Sequence, residues 1–136
     1  MAALTPVTAD FRLGDTSAVT TGTAGVAITA GQLVYLDSAT AKYKLAINTS
    51  AAAAAVVGVA ATTAATDKKI AIVTSGTIET ANAYWTAGQT YVLDQVAGQM
   101  QNAADVITAD LVSVIGVAST TQIFKLSIDN TGFIVP

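Results

Sequence analysis

Apolar residues recur along the chain in short runs of period two, separated by glycine-bearing turns, which is the pattern of strands rather than helices. Leu33-Val-Tyr-Leu36 and Thr90-Tyr-Val-Leu93 each follow an Ala-Gly pair, Ala30-Gly31 or Ala87-Gly88, that supplies the positive φ of a tight turn. Asp37 and Asp94 then end these strands. Alternation is plainest at Ile70 and Ile72 and at Phe124, Leu126 and Ile128, where Lys125, Ser127 and Asp129 stand between, so one face is buried and the other wet. Val56-Val57-Gly58-Val59 and Val114-Ile115-Gly116-Val117 are apolar on both parities, as central strands bent at a glycine would be. Residues 51–55, preceded by Asn48-Thr49-Ser50, and residues 103–111 depart from the pattern and predict one helical turn each.

These runs form a repeat. Ile28-Thr-Ala-Gly-Gln-Leu-Val-Tyr-Leu-Asp37 aligns with Trp85-Thr-Ala-Gly-Gln-Thr-Tyr-Val-Leu-Asp94, an offset of 57 residues. Val56-Val-Gly-Val-Ala-Ala-Thr62 aligns with Val114-Ile-Gly-Val-Ala-Ser-Thr120 at an offset of 58, and Ile70-Ala-Ile-Val-Thr-Ser-Gly76 more weakly with Leu126-Ser-Ile-Asp-Asn-Thr-Gly132. Two copies are too few for a solenoid. The expected fold is therefore all-β, a small β-barrel or β-tulip-like domain over residues 26–136, from two pseudo-symmetric repeats (about 28–80 and 85–136) that cover each other's apolar faces. Residues 1–25 read as an extended N-terminal arm outside the repeat, with Gly22-Thr-Ala-Gly25 as a flexible joint. A disordered tail is the ordinary alternative for a terminus. Leu4, Val7, Phe11 and Leu13 are apolar anchors spaced along that arm, and predict that it docks on another molecule rather than on its own domain.

Composition narrows the partners. The chain has 136 residues, room for one domain, and only 11% of them are charged, well below the roughly 25% of an ordinary soluble domain. Alanine and threonine fill the exposed area in place of Lys and Glu, a surface that can be covered by protein without stripping away charge. With net charge −3 and a single arginine, Arg12, no basic face for nucleic acid is expected. The longest wholly apolar stretch, residues 51–61, is too short for the roughly 20 residues that span a bilayer, so no membrane partner is expected either. The N-terminus lacks the basic start and apolar run of a signal peptide, so the product is expected to stay in the cytosol.

The chain has no histidine and no cysteine, which leaves acid–base work to carboxylates, lysine or tyrosine and removes thiol chemistry and most zinc sites. The best carboxylate pair on offer is Asp37 with Asp94, yet aspartates at strand ends usually cap turns. Asp105 and Asp110 stand too nearly alone for a calcium loop, and Gly22-Thr-Ala-Gly25 lacks the lysine of a phosphate loop. No Gly-x-Ser-x-Gly elbow presents a nucleophile. The sequence therefore predicts no catalytic residue, no metal and no cofactor. Tyr84-Trp85 is the most aromatic point; a sugar-binding module could present such a pair, while its place in the repeat, where Ile28 stands in the first copy, favours a core or interface anchor.

The order of the blocks resembles a family of tailed-phage head proteins described as capsid cement or decoration proteins. The blocks are Val26-Ala-Ile-Thr-Ala-Gly-Gln-Leu-Val-Tyr-Leu-Asp37, Val57-Gly-Val-Ala60 and Thr74-Ser-Gly-Thr-Ile78, then Ala87-Gly-Gln-Thr-Tyr-Val-Leu-Asp94, Ile115-Gly-Val-Ala118 and Gly132-Phe-Ile-Val-Pro136. The resemblance covers about residues 20–136 and implies a compact β-barrel or β-tulip domain on the outer surface of a virion. It implies a homotrimer, made and assembled in the host cytoplasm, that clamps neighbouring major capsid proteins, and it carries over no catalytic residue. A carbohydrate-binding or adhesin module of a virion appendage is the alternative that Tyr84-Trp85 suggests.

Overall fold

The structure, a computed structural model, describes residues 11–14 and 17–136. Among these described residues ten strands make one antiparallel sheet: β1 (Phe11–Leu13), β2 (Ala18–Thr23), β3 (Leu33–Asp37), β4 (Lys42–Leu45), β5 (Gly58–Ala60), β6 (Lys69–Thr80), β7 (Thr90–Leu93), β8 (Met100–Asn102), β9 (Leu111–Ala118) and β10 (Ile123–Ile134). Among the described residues the expected helical turns shrink to an i→i+4 bond from Ala54 N to Ser50 O at 2.8 Å and a 3₁₀ turn, Ala103–Asp105, whose first amide bonds the Asn102 side chain.

The strand order β4-β3-β5-β6-β10-β9-β7-β8 reads the same from both ends once the copies are matched. Outward from the β6–β10 seam, each copy runs fourth, third, first, second strand. The register matches too: Leu33 faces Val59 and Val34 faces Gly58, as Thr90 faces Val117 and Tyr91 faces Gly116. The first hairpin pairs Val34 with Leu45, and its equivalent pairs Tyr91 with Asn102. Gly31 (φ 94°) and Gly88 (φ 79°) turn the chain at the same place, and each donates its amide to the third strand of its copy, to Ala60 O and Ala118 O, at 2.7 Å. The first two matched blocks are thus realised in register, but the third is corrected: Val59 faces Val73 as Val117 faces Lys125, so Ile72 corresponds to Phe124, and Ile70 to Gly76 does not match Leu126 to Gly132 residue for residue.

β6 is shared. Its first half pairs β2 on one edge and β5 on the other; its second half pairs β1 and β10. At the hand-over β2 skips Thr74, its partners jumping from Ser75 to Val73, and Gly76 follows at φ 98°. A bulge of this kind bends a strand and steepens its twist, which carries β6 from one half of the sheet to the other. The result is a curled half-barrel. Its first-copy end is drawn shut where Ala24 bridges in parallel to Tyr43 and Gly25 N donates to Tyr43 O at 2.7 Å.

Over its described residues, 11–14 and 17–25, this arrangement corrects the expected arm; its first ten residues lie outside the described ones. Phe11–Leu13 and Ala18–Thr23 are strands of their own domain, paired with β6 through Thr80 to Ile78 and Ser75 to Lys69. The reason is the edge of β6: twelve residues of strand would otherwise leave a row of backbone groups bare, and the preceding chain covers it. Nor is Gly22-Thr-Ala-Gly25 a joint. Gly22 lies within β2 because a Cβ there would run into the Tyr43 ring, and Ala24 is wholly buried.

Two packed clusters follow from the two copies. Ile28, Val34, Ala60, Ile70 and Ile72 fill the first-copy end. At the repeat-equivalent positions the second copy has Trp85, Tyr91 and Ala118, and this larger cluster extends across to take in Leu33, Val59 and Val73 of the first copy. Each such aliphatic or aromatic side chain stabilises by about 1.5–3 kcal/mol when fully buried. A polar seam stitches the copies further: Gly98 N bonds Ala46 O at 2.7 Å, Leu33 N bonds Gly98 O at 2.8 Å, and Ser113 Oγ donates to Ala54 O at 2.6 Å.

Candidate interaction surface

Of the six residues singled out from the sequence, the four that are described separate in the structure. Leu4 and Val7 lie outside the described residues. Phe11 holds a backbone position opposite Thr80, and Leu13, opposite Ile78, is 47% exposed. Tyr84 is half-buried and Trp85 is 4% exposed. The Trp85 ring stacks on Phe124 with centroids 5.0 Å apart and meets the edge of Tyr84 at 4.9 Å, while its Nε1 donates to Met100 Sδ at 3.4 Å. Of the two roles open to Trp85, core anchor is the one this chain uses. Burial, with a smaller contribution from Tyr91, raises the Tyr84 phenol above its ordinary value.

Asp37 and Asp94 sit at equivalent strand ends, each engaged by its own turn. Asp37 accepts from Ala39 N at 3.2 Å and Thr40 Oγ1 at 3.0 Å and pairs with Lys44 Nζ at 2.8 Å; the lysine's hydrogen bond, then those of Thr40 and Ala39, holds its carboxyl below the usual range. Asp94 accepts from Gln95 N at 2.5 Å. Asp110, 4% exposed, is held by Gln95 Nε2 at 3.0 Å and Ile107 N at 3.0 Å, so amides rather than a cation satisfy it. Among the described residues no three carboxylates are grouped to hold a metal ion, and no helix is long and apolar enough to cross a membrane.

What the geometry does present is apolar surface with neutral relief. An open groove of about 230 Å³ lies between the turn at residues 51–55 and the outer ends of β9 and β10, lined by Ala51, Ala54, Leu111, Val112, Asn130 and Gly132 among others, none of them titratable. Beside it Phe133 and Ile134 are each 57% exposed. β10 pairs β6 only through Ile123 to Leu126. Farther along, Asn130 stands in for a strand, its carboxamide accepting from Val56 N at 3.1 Å and donating to Val56 O at 3.0 Å. From Thr131 to Ile134 the outer edge of β10 carries no described strand. The sequence reading missed this surface, although Gly132-Phe-Ile-Val, an apolar run after a glycine, was its available signal.

No protein-family model matches the chain and no curated protein sequence is significantly similar to it.

Proposed function

We propose that the protein is a structural cement subunit that binds the outside of a phage head and ties neighbouring major capsid proteins together, acting as a homotrimer assembled in the host cytoplasm. The observation that carries this reading is the order of the six sequence blocks, and the matched register of the first two pairs of them in the fold supports it. The surface supports a binding role. It is poor in charge, and its largest exposed apolar side chains, Phe133 and Ile134, stand beside a groove without titratable groups. Covering such a surface costs little desolvation of charge. The carbohydrate-binding reading rested on Tyr84-Trp85, and a tryptophan 4% exposed offers no stacking face to a sugar.

The test is removal and return. Particles stripped of this protein should open or leak at lower temperature than intact ones, and adding back the purified chain should restore the difference. Particles that keep their shell stability and lose only attachment to host cells would sink the cement reading in favour of an adhesin.

A further inference from the structure

A strand that covers an edge becomes the edge itself. β2 shields the first half of β6, and its own outer side faces no described strand from Ala18 to Gly22. Parity says which backbone groups lie bare there. Ala24 N bonds Lys68 O at 2.9 Å, so Ala24 turns its amide to β6, as do Gly22 and Thr20 in the same alternation, while Val19 and Thr21 turn theirs outward. Beyond Gly22 the bridge from Ala24 to Tyr43 occupies the edge, and before Ala18 the Ser17 hydroxyl folds back to Thr77 O at 2.6 Å. The bare row is short and centred on Thr20, and Ala18, Val19, Thr20 and Thr21 are all exposed.

The other outer strands are guarded. β1 and β8 are three residues long, with Arg12 at the centre of β1; β4 carries Lys42 and Lys44; β10 is broken by two register shifts against β9 and by Gly132 at φ 71°. Short strands, charged side chains and bulges keep an edge from pairing with another chain. β2 has none of these. Ala-Val-Thr-Thr-Gly-Thr is six residues long, uncharged and rich in β-branched side chains. The shift in its register at Ala18–Val19 places the extra residue, Thr74, on β6 and leaves β2 itself regular.

We infer that β2 is a self-association edge, pairing antiparallel with β2 of a second copy about a two-fold axis through Thr20. The axis sets Val19 opposite the partner's Thr21 and Thr21 opposite the partner's Val19, and each of these pairs exchanges both N–H···O bonds. Thr20 then meets the partner's Thr20 between them, a favourable cross-strand pair. A second copy is the occupant because the row matches itself: its outward donors and acceptors are related by that axis, and residues 18–22 bring no charge against their own likeness. A contact of this isologous kind joins copies in pairs. It is independent of what the protein coats, and beside a three-fold contact elsewhere on the molecule it would build a hexamer.

The chain has no cysteine, so one introduced thiol reports its own neighbour. Across the proposed axis the two Thr20 Cα atoms would lie about 4.5 Å apart, within disulfide reach, whereas Val19 and Thr21 would each sit diagonally from their own counterparts at about 7–8 Å. Full-length Thr20→Cys, Val19→Cys and Thr21→Cys would be oxidised in parallel and followed on non-reducing gels. Thr20→Cys should form a covalent dimer about tenfold faster than either of the others, since disulfide geometry is exacting. Adding Thr21→Pro, which removes an outward N–H that the domain itself does not use, should abolish that advantage while the thermal midpoint stays near native. By light scattering the native chain should hold an even number of copies, and Thr21→Pro half that number. Equal rates at the three positions, a Thr21→Pro chain that still cross-links quickly, or a native chain that is monomeric or only trimeric would each overturn the assignment, and a plain trimer would do so while leaving the cement reading standing. The comparison of the three cysteine variants does not depend on Thr21→Pro folding.

Discussion

At Gly58 and Gly116 the chain has no room for a side chain. A Cβ at Gly58 would collide with the carbonyl oxygen of Val73, and one at Gly116 with that of Lys125, so each glycine lets the third strand of its copy approach the fourth. Gly58→Ala and Gly116→Ala should therefore each cost roughly 2 kcal/mol or more in urea unfolding, with Gly116→Ala the costlier because its φ of 157° adds backbone strain to the collision. Ionisable groups make further tests. The Asp37 carboxyl is lowered in the fold, so its contribution is present above the unfolded carboxylate range and is lost as pH falls through the folded value. Asp37→Asn should flatten the acid limb of a plot of thermal midpoint against pH. Tyr84 runs the other way: its raised phenol contributes stability that is whole below pH 10 and falls as pH rises past that value towards the folded one. Tyr84→Phe should blunt the alkaline loss of stability, and a phenolate absorbance that titrates normally in the folded protein would contradict its burial.

Among the elements, turns and strands were legible wherever a local rule decided them. Gly31 and Gly88 take the positive φ that the Ala-Gly pairs predicted, and Phe124 and Leu126 face inward while Lys125 faces water. Residues 11–14 and 17–25 were misread because nothing local marks them: Thr, Ala and Gly without a period become a strand only when β6 offers an edge, a condition set far away in sequence, as between Ala18 and Ser75. The polar seam escaped for the same reason. Asn130 is an ordinary loop-forming residue until its carboxamide meets both backbone groups of Val56, and Asn130→Ala should cost about 1–3 kcal/mol by stranding them. The corrected boundary makes a sharper truncation experiment. Removing residues 1–10 should leave the thermal midpoint unchanged, whereas removing residues 1–25 also strips β2 and the Ala24 bridge and should unfold the domain, as read by loss of dispersed amide resonances.

Over the whole molecule, the two copies are halves of one folding unit. The larger cluster draws residues from both, and β6, the last strand of the first copy, pairs directly with β10, the last strand of the second. A fragment of residues 28–80 lacks β2 and the whole second copy, and should be unfolded or associate; the full chain should melt in a single transition whose calorimetric and van't Hoff enthalpies agree. A stable monomer of the fragment, or two resolved transitions, would show that the copies fold apart. The sharing of β6 also decides how the domain carries a load. β1 and β2 lie along one edge of β6 and β10 along the other, running parallel to each other, so a pull on the ends of the chain draws them in opposite directions past the strand between. Tension applied in that way loads many inter-strand bonds together in shear instead of peeling them one at a time, and a protein tethered through its termini would yield as a clasp does, late and all at once.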